Sequence, residues 1–406
     1  MLVQDRRSWS PKASSETPMQ RHPIASRHDW QLNLRQYPYG AVATSAAAHW
    51  DESAYYSFSA DEIDRIETAA NSVYGLIIDT LGHAIDGRLL PLLGYSAETG
   101  TLIRDDWNRS RSHNGGSQDP RAGGLYGRLD FAYDGGESLK LVGCHFDGPT
   151  GLFESAIVQW NWLEARFPDA DQFNGLHETL VERWQALAVG LRARGRVHLT
   201  CATPDAGREG ELAYLAALAE EAGLKTATLA IQDIGWDGGR FRDLDDRVIA
   251  WLLKLYPWEA LVADSYGAHL GRAELDFVEP LWRMPASNHG LLALLWERYP
   301  QHPHLSPASL TESAVTGGPV LTRSQFGLDR AAQRLTRDGR VIAETPPAAT
   351  PGGMVHLALP PYFEQDGICA LLQCWLVGDK CLGMAVRESE SPLFDSESTL
   401  VPHLFR

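Results

Sequence analysis

Apolar positions change period several times along the chain, and each change marks a different element. Ile63, Ile66, Ala70, Val73 and Ile77 recur at helical spacing behind the capping box Ser59-Ala-Asp-Glu62, which predicts an amphipathic helix over about 60–82. The polar, Gly-rich stretch 106–124 (DWNRSRSHNGGSQDPRAGG) predicts a loop able to cover a site. Alternation with period two then takes over: GRLDFAY and LKLVGCH flank Asp134-Gly135-Gly136-Glu137, a two-residue turn signal. Pro149-Thr150 opens a predicted helix that runs to Phe167, where Pro168 stops it, and a further helix is predicted over 177–194. VHLTCA, a helix over 209–222 closed by Gly223, and KTATLAI predict a βαβ unit with parallel strands. Residues 245–256 read as helical through Val248, Ile249, Trp251, Leu252 and Leu253, and Ser287 reads as the cap of a helix over NHGLLALLWERYP. Segments 319–324, 338–344, 353–359, 366–377 and 380–387 predict a mixed, largely antiparallel sheet.

The hairpin carries the candidate chemistry. With Asp134 opposite Glu137, Asp130 faces Leu141, Arg128 faces Gly143 and Tyr126 faces His145. Arg128, Asp130 and His145 then share one side of the sheet, while Leu129, Phe131, Val142 and Cys144 share the other, with Lys140 at its rim. The second strand ends in FDGPT and feeds a helix N-terminus, whose free amides and positive dipole end suit a carboxylate or phosphate. A surface Arg–Asp pair beside a histidine, with no catalytic role, fits the same pattern.

Totals narrow the classes. A chain of 406 residues, 44% hydrophobic and 22% charged, can bury a sizeable core in two or three packed units. The net charge of −16 repels nucleic acid and anionic membrane surfaces. The first forty residues differ, with six Arg/Lys against three Asp/Glu, and read as a flexible basic tail. The start of the chain has no apolar centre of a signal peptide and no window reaches 18 apolar residues, so a soluble cytoplasmic protein is expected. Cys144, Cys201, Cys369, Cys374 and Cys381 contain no CxxC pair and read as reduced thiols. Gly207-Arg-Glu-Gly210 reads as a helix start and His302 with His304 as a surface turn. No Walker loop, GxGxxG, HExxH or GxSxG is present.

Several stretches occur in a telling order: GRLDF, DGPT with Glu154, DQFNGLHETL, KLYPWE, VEPLWRMPASNHGLLALLWERYPQHPHL, LQCWLVGD, AVRES and LVPHLF. Together, over residues 48–406, they resemble the glutathionylspermidine synthase family in its ATP-grasp synthetase part, without the amidase domain that some members carry upstream. The resemblance implies an α/β, ATP-grasp-like fold with a helical N-terminal region. The expected layout is a tail over 1–40, an entry region plus pre-ATP-grasp α/β domain holding the 125–148 hairpin over 41–305, and an ATP-grasp-like mixed sheet over 306–406. It implies ATP- and Mg²⁺-dependent activation of a small acid or peptide as an acyl phosphate, which an amine displaces.

By position, Arg128 matches the family's arginine near the acid, Asp130 a magnesium carboxylate, and Arg387 the arginine near the transferred phosphate. Other positions depart from the family pattern. Its Glu-Tyr-Asn-Ala-Asp stands here as Gly143-Cys144-His145-Phe146-Asp147, its Asn-Lys as Asn288-His289, and its Lys-Pro as Thr322-Arg323; its hinge glutamines fall on Leu357 and Ala358. Asp130 and His145 are thus the residual metal candidates, and Arg323 and His289 the nucleotide candidates. The expected function is a ligase-family protein with an eroded ATP/Mg²⁺ site that retains acid or peptide binding. The alternatives are an active acid–amine ligase working through Arg323, Arg387 and Asp130, and a non-catalytic interaction protein that uses the acidic surface and the basic tail to reach a protein partner.

Overall fold

The computed structural model describes residues 19–37, 49–113, 124–191, 195–272, 274–327, 332–345, 352–395 and 398–406. Within them the predicted first helix spans Ala60–Asp86. Both halves of its capping box form: the Ser59 side chain accepts from the Glu62 amide, and the Glu62 carboxylate accepts from the Ser59 amide at 2.9 Å. Its apolar stripe, including Ile66, Val73 and Ile77, is fully buried.

That stripe packs on a six-stranded antiparallel sheet at the centre of the molecule. The strand order is Thr399–Val401, Lys380–Ser389, Ile368–Val377, Tyr126–Tyr133 and Leu139–His145, with Phe363–Gln365 paired to Ile368–Val377. Hydrogen bonding therefore crosses the boundary expected at 305/306, because the 126–145 hairpin shares its ladder with the C-terminal strands. One face (Leu129, Phe131, Cys144, Leu372, Cys374, Met384) joins the first helix in one core. Tyr126, Trp375 and Ala385 on the other face join a second core with Phe153, Trp162 and Trp184. Helices over 152–166 and Leu176–Leu191 cover part of this second face, close to the spans predicted for them.

The βαβ unit forms as predicted: Val197–Cys201, the helix Ala206–Glu221 and Thr226–Ala230, with parallel pairing. Two further parallel strands extend it, giving the order Asp276–Val278, Trp251–Leu255, Val197–Cys201, Thr226–Ala230. Trp251–Leu255 corrects the helix expected over 245–256. A central parallel strand is buried on both faces and reads as an unbroken apolar run, which periodicity cannot tell from a buried helix. A five-stranded antiparallel sheet (Ala308–Ser309, Met354–Ala358, Val320–Ser324, Gln333–Arg337, Arg340–Glu344) holds most of the remaining predicted strands.

Three more expectations change. Residues 106–113 are not loop but the end of the helix Ala97–His113, whose buried Ile103 and Trp107 sit one turn apart; 114–123 lie outside the described residues. Ser287 does not cap the helix Leu291–Arg298; its hydroxyl accepts from the Phe146 amide at 2.8 Å and holds the end of the hairpin. The expected flexible tail is only partly outside the described residues, since Gln20–Pro23 pairs as a strand with Ala54–Phe58. Arg21 there forms a two-pronged bridge to buried Glu388 at 2.7 and 3.1 Å, and Arg27 bridges Glu52 at 2.6 Å, so charge pairing fixes a stretch that composition alone marks as solvated.

Candidate functional site

The hairpin turn is one residue longer than its glycine pair suggests. The Asp134 carboxylate accepts from the amides of Gly136 and Ser138 at 2.8 and 3.0 Å, and the Asp134 amide donates to Ser138 O. A bulge between Asp130 and Phe131 then adds a second residue of slip, so Arg128 pairs with His145 and Asp130 with Gly143. This corrects the predicted partners. A slip of two residues preserves side-chain parity, and Arg128, Asp130, Gly143 and His145 share one face as expected.

On that face both Asp130 oxygens accept hydrogen bonds from neighbouring side chains. Arg128 donates to both of its oxygens, at 2.7 and 3.1 Å, and His145 Nε2 lies 3.0 Å from Oδ2. Burial opposes the charge, but Arg128 and then His145 hold the carboxyl well below the usual range. Since a carboxylate only accepts, His145 carries its proton on Nε2. Burial also pushes His145 down, so it is neutral near pH 7. Arg128 is further fixed by Thr150 O at 2.8 Å and lies 5.7 Å from the Trp375 ring centre. A Cβ added at Gly143 would sit 3.1 Å from His145 Nε2 and 3.3 Å from Asp130 Cβ, so these two side chains occupy the space beside position 143.

The neighbouring strands complete the surface. Gln373 pairs with Asp130 and with Ala385, and Arg387 follows two residues further along its strand, on the same face. Arg387 donates to Asp395 O at 2.6 Å, and its Nε has no partner among the described residues. His289 meets His145 edge-on, with ring centres 6.2 Å apart; its Nδ1 lies 2.9 Å from Ser324 O, and burial followed by the charge of Arg323 pushes it well below its usual value. Arg323 donates to Val142 O, the carbonyl at the bulge, and its Nε likewise has no partner among the described residues. Thr322, one residue earlier, points the other way and pairs with His356 Nδ1 at 2.9 Å. All six candidates from the sequence, Arg128, Asp130, His145, His289, Arg323 and Arg387, thus gather around Asp130.

Glu154 completes the rim. It opens a π-helical turn, Glu154–Val158, inside the helix that follows FDGPT. It is buried, and desolvation, then nearby Glu211, push its carboxyl up to about 8. Three guanidinium groups, Arg128, Arg387 and the neighbouring Arg323, thus stand near one ionised carboxylate, so the local charge is net positive. Among the described residues no group of three or more His, Cys, Asp or Glu side chains is placed to hold a metal ion. Cys144 faces away, and burial pushes its thiol up. Gln373 is the member of the face that pattern reading passes over; its signal is one polar residue inside the apolar run ALLQCWLV.

A central antiparallel sheet, a parallel βαβ sheet and a smaller antiparallel sheet make up an ATP-grasp-like fold. A solved glutathione synthetase-like effector of Globodera pallida superposes with a TM-score of 0.52 at 10% identity, covering 94% of this chain and 98% of its own. The chain belongs to the glutathionylspermidine synthase pre-ATP-grasp family, whose model matches residues 21–406. A provisionally named acid–amine ligase of Haemophilus influenzae is 34% identical over 92% of this chain and 95% of its own length. The bifunctional glutathionylspermidine synthetase/amidase of Escherichia coli is 22% identical over 89% of this chain, which spans 60% of that longer protein. No helix among the described residues is long and apolar enough to cross a membrane.

Proposed function

We propose that this protein descends from ATP-dependent acid–amine ligases and binds a small acid or peptide at Arg128 and Arg387, with its ATP/Mg²⁺ site occupied by its own side chains. The observation that carries this reading is the pairing of Asp130: both oxygens already accept from Arg128 and His145, opposite a glycine where the family resemblance expects a second carboxylate. Residues present here do not fit Mg²⁺, so no step is routed through it. Nor do they fit the triphosphate: His289 is neutral and bonded to a carbonyl, Thr322 is paired with His356, and Arg323 is spent in part on Val142 O. Ligase activity on this reading is weak or lost, and the retained property is acid binding. Five buried, unpaired thiols support placing the protein in the reducing cytoplasm.

Calorimetric titration with ATP in excess Mg²⁺ is expected to give no micromolar binding; a micromolar dissociation constant with a turnover-competent amine overturns the reading. Gly143→Glu combined with His145→Asn and His289→Lys is expected to restore nucleotide binding; no recovery counts against the eroded-site reading. The histidine is included because it stands 3.1 Å from the new Cβ.

A further inference from the structure

The five-stranded antiparallel sheet ends on Arg340–Glu344, and no strand among the described residues pairs with the outer side of that strand. A free edge offers backbone donors and acceptors to any chain that can lie along it. The strand is preset. Asp338 and Gly339, which join it to Gln333–Arg337, hold φ at 52° and 73°, the tight turn that matches strand twist. The ladder slips between Leu335 and Thr336, so Ile342 has no partner across the hairpin. Val341 and Ile342 are 53% and 52% exposed. Single exposed apolar residues are ordinary, but two in a row on a free edge form a patch that native sheets usually guard with charge or proline.

The guards here are one charge at each end, of opposite sign: the strand reads Arg-Val-Ile-Ala-Glu. Such a strand is its own complement when turned round. Laid antiparallel about Ile342, Arg340 of each copy stands opposite Glu344 of the other and Ile342 meets its twin, whereas a parallel pairing opposes like charges. Glu344 already has Arg334 at 3.3 Å, but both side chains are more than half exposed, and a surface pair of that kind leaves a carboxylate oxygen for a second cation. At a net charge of −16 two copies repel one another elsewhere, so local complementarity decides where they touch. We infer that Arg340–Glu344 is a self-association surface: two copies meet edge to edge and antiparallel across a two-fold axis at Ile342, joining their five-stranded sheets. The bulge bends the edge and keeps the contact short, so the dimer is weak and reversible. The inference is independent of the acid-binding reading.

Sedimentation equilibrium of the full chain tests it, in a concentration series reaching about 1 mM, where even a millimolar contact forms in part. The wild type is expected to pass from monomer to dimer along the series. Arg340→Glu sets glutamate against glutamate across the axis, and Glu344→Arg sets arginine against arginine. Both positions are exposed, so the fold is kept, and each variant is expected to self-associate about tenfold more weakly or less still. Mixed in equal amounts, the two variants are expected to pair with one another, because every cross-axis contact in the mixed dimer again joins opposite charges. A wild type that stays monomeric throughout overturns the inference. A dimer that either variant leaves unchanged overturns it as well, since the contact then lies elsewhere. So does a mixture that associates no better than each variant alone, because antiparallel pairing about Ile342 requires the rescue.

Discussion

Removing the Asp130 carboxylate tests the site's electrostatics most directly. In Asp130→Ala the Arg128 guanidinium, 5% exposed, keeps only Thr150 O and the Trp375 ring, and His145 loses its acceptor. A buried cation stripped of its partner destabilises by about 3–5 kcal/mol. In Arg128→Met/Asp130→Leu no charge is left to strand, and the loss reduces to the hydrogen bond to Thr150 O, about 1 kcal/mol, plus the ring contact, about 0.5–1 kcal/mol. The double variant is therefore expected to be more stable than Asp130→Ala by about 1–3 kcal/mol. The sign with pH follows from Asp130 lying below its ordinary 3.8 in the folded state. Its stabilisation is complete above 3.8 and fades as pH falls below it, so the gap between wild type and Asp130→Asn narrows in acid. Urea unfolding followed by tryptophan fluorescence measures all of these. A cost below about 1 kcal/mol for Asp130→Ala, or a double variant less stable than the single, refutes the picture of a buried ion pair closing the site.

Glu154, pushed up to about 8 from 4.5, keeps its proton in the folded state while the unfolded chain releases it. Wild-type stability should therefore fall between pH 4.5 and about 8, and Glu154→Gln should flatten that slope; an unchanged slope in thermal melts counts against a buried neutral acid. Arg21→Ala removes both prongs to Glu388 and leaves it only Tyr56, so a loss of about 2 kcal/mol and faster tryptic release of the N-terminal segment are expected; unchanged proteolysis contradicts the docked strand. Cys144 and Cys201 are raised by burial, and Cys374 first by its hydrogen bond with Cys381, then by burial. Native protein should therefore resist thiol reagents at pH 8 until denatured; rapid labelling of one or more thiols would place a cysteine at the surface.

Local chemistry was legible wherever one segment decides its own conformation. The capping box at Ser59 and Glu62 fixed a helix start, the βαβ unit followed from period and turn residues, and alternation put Arg128, Asp130 and His145 on one face despite a turn and a bulge that each moved the register by one. That face survived because side-chain direction in a strand depends only on parity. Arg387 and His289 entered through order-and-spacing resemblance, which carries residues across long gaps in sequence.

Quantities that depend on what lies opposite were left to the tertiary structure. Trp251–Leu255 becomes a strand because neighbours on both sides offer ladders, and an apolar run carries no sign of them. Arg21 stops behaving as solvated tail because Glu388, 367 residues away, lies buried within reach. The sequence determined which side chains face together along each strand; the packed sheet alone decided which charges meet and which are already paired. Coulomb and hydrogen-bond energies depend on distance through space, and a linear order of residues does not contain that distance.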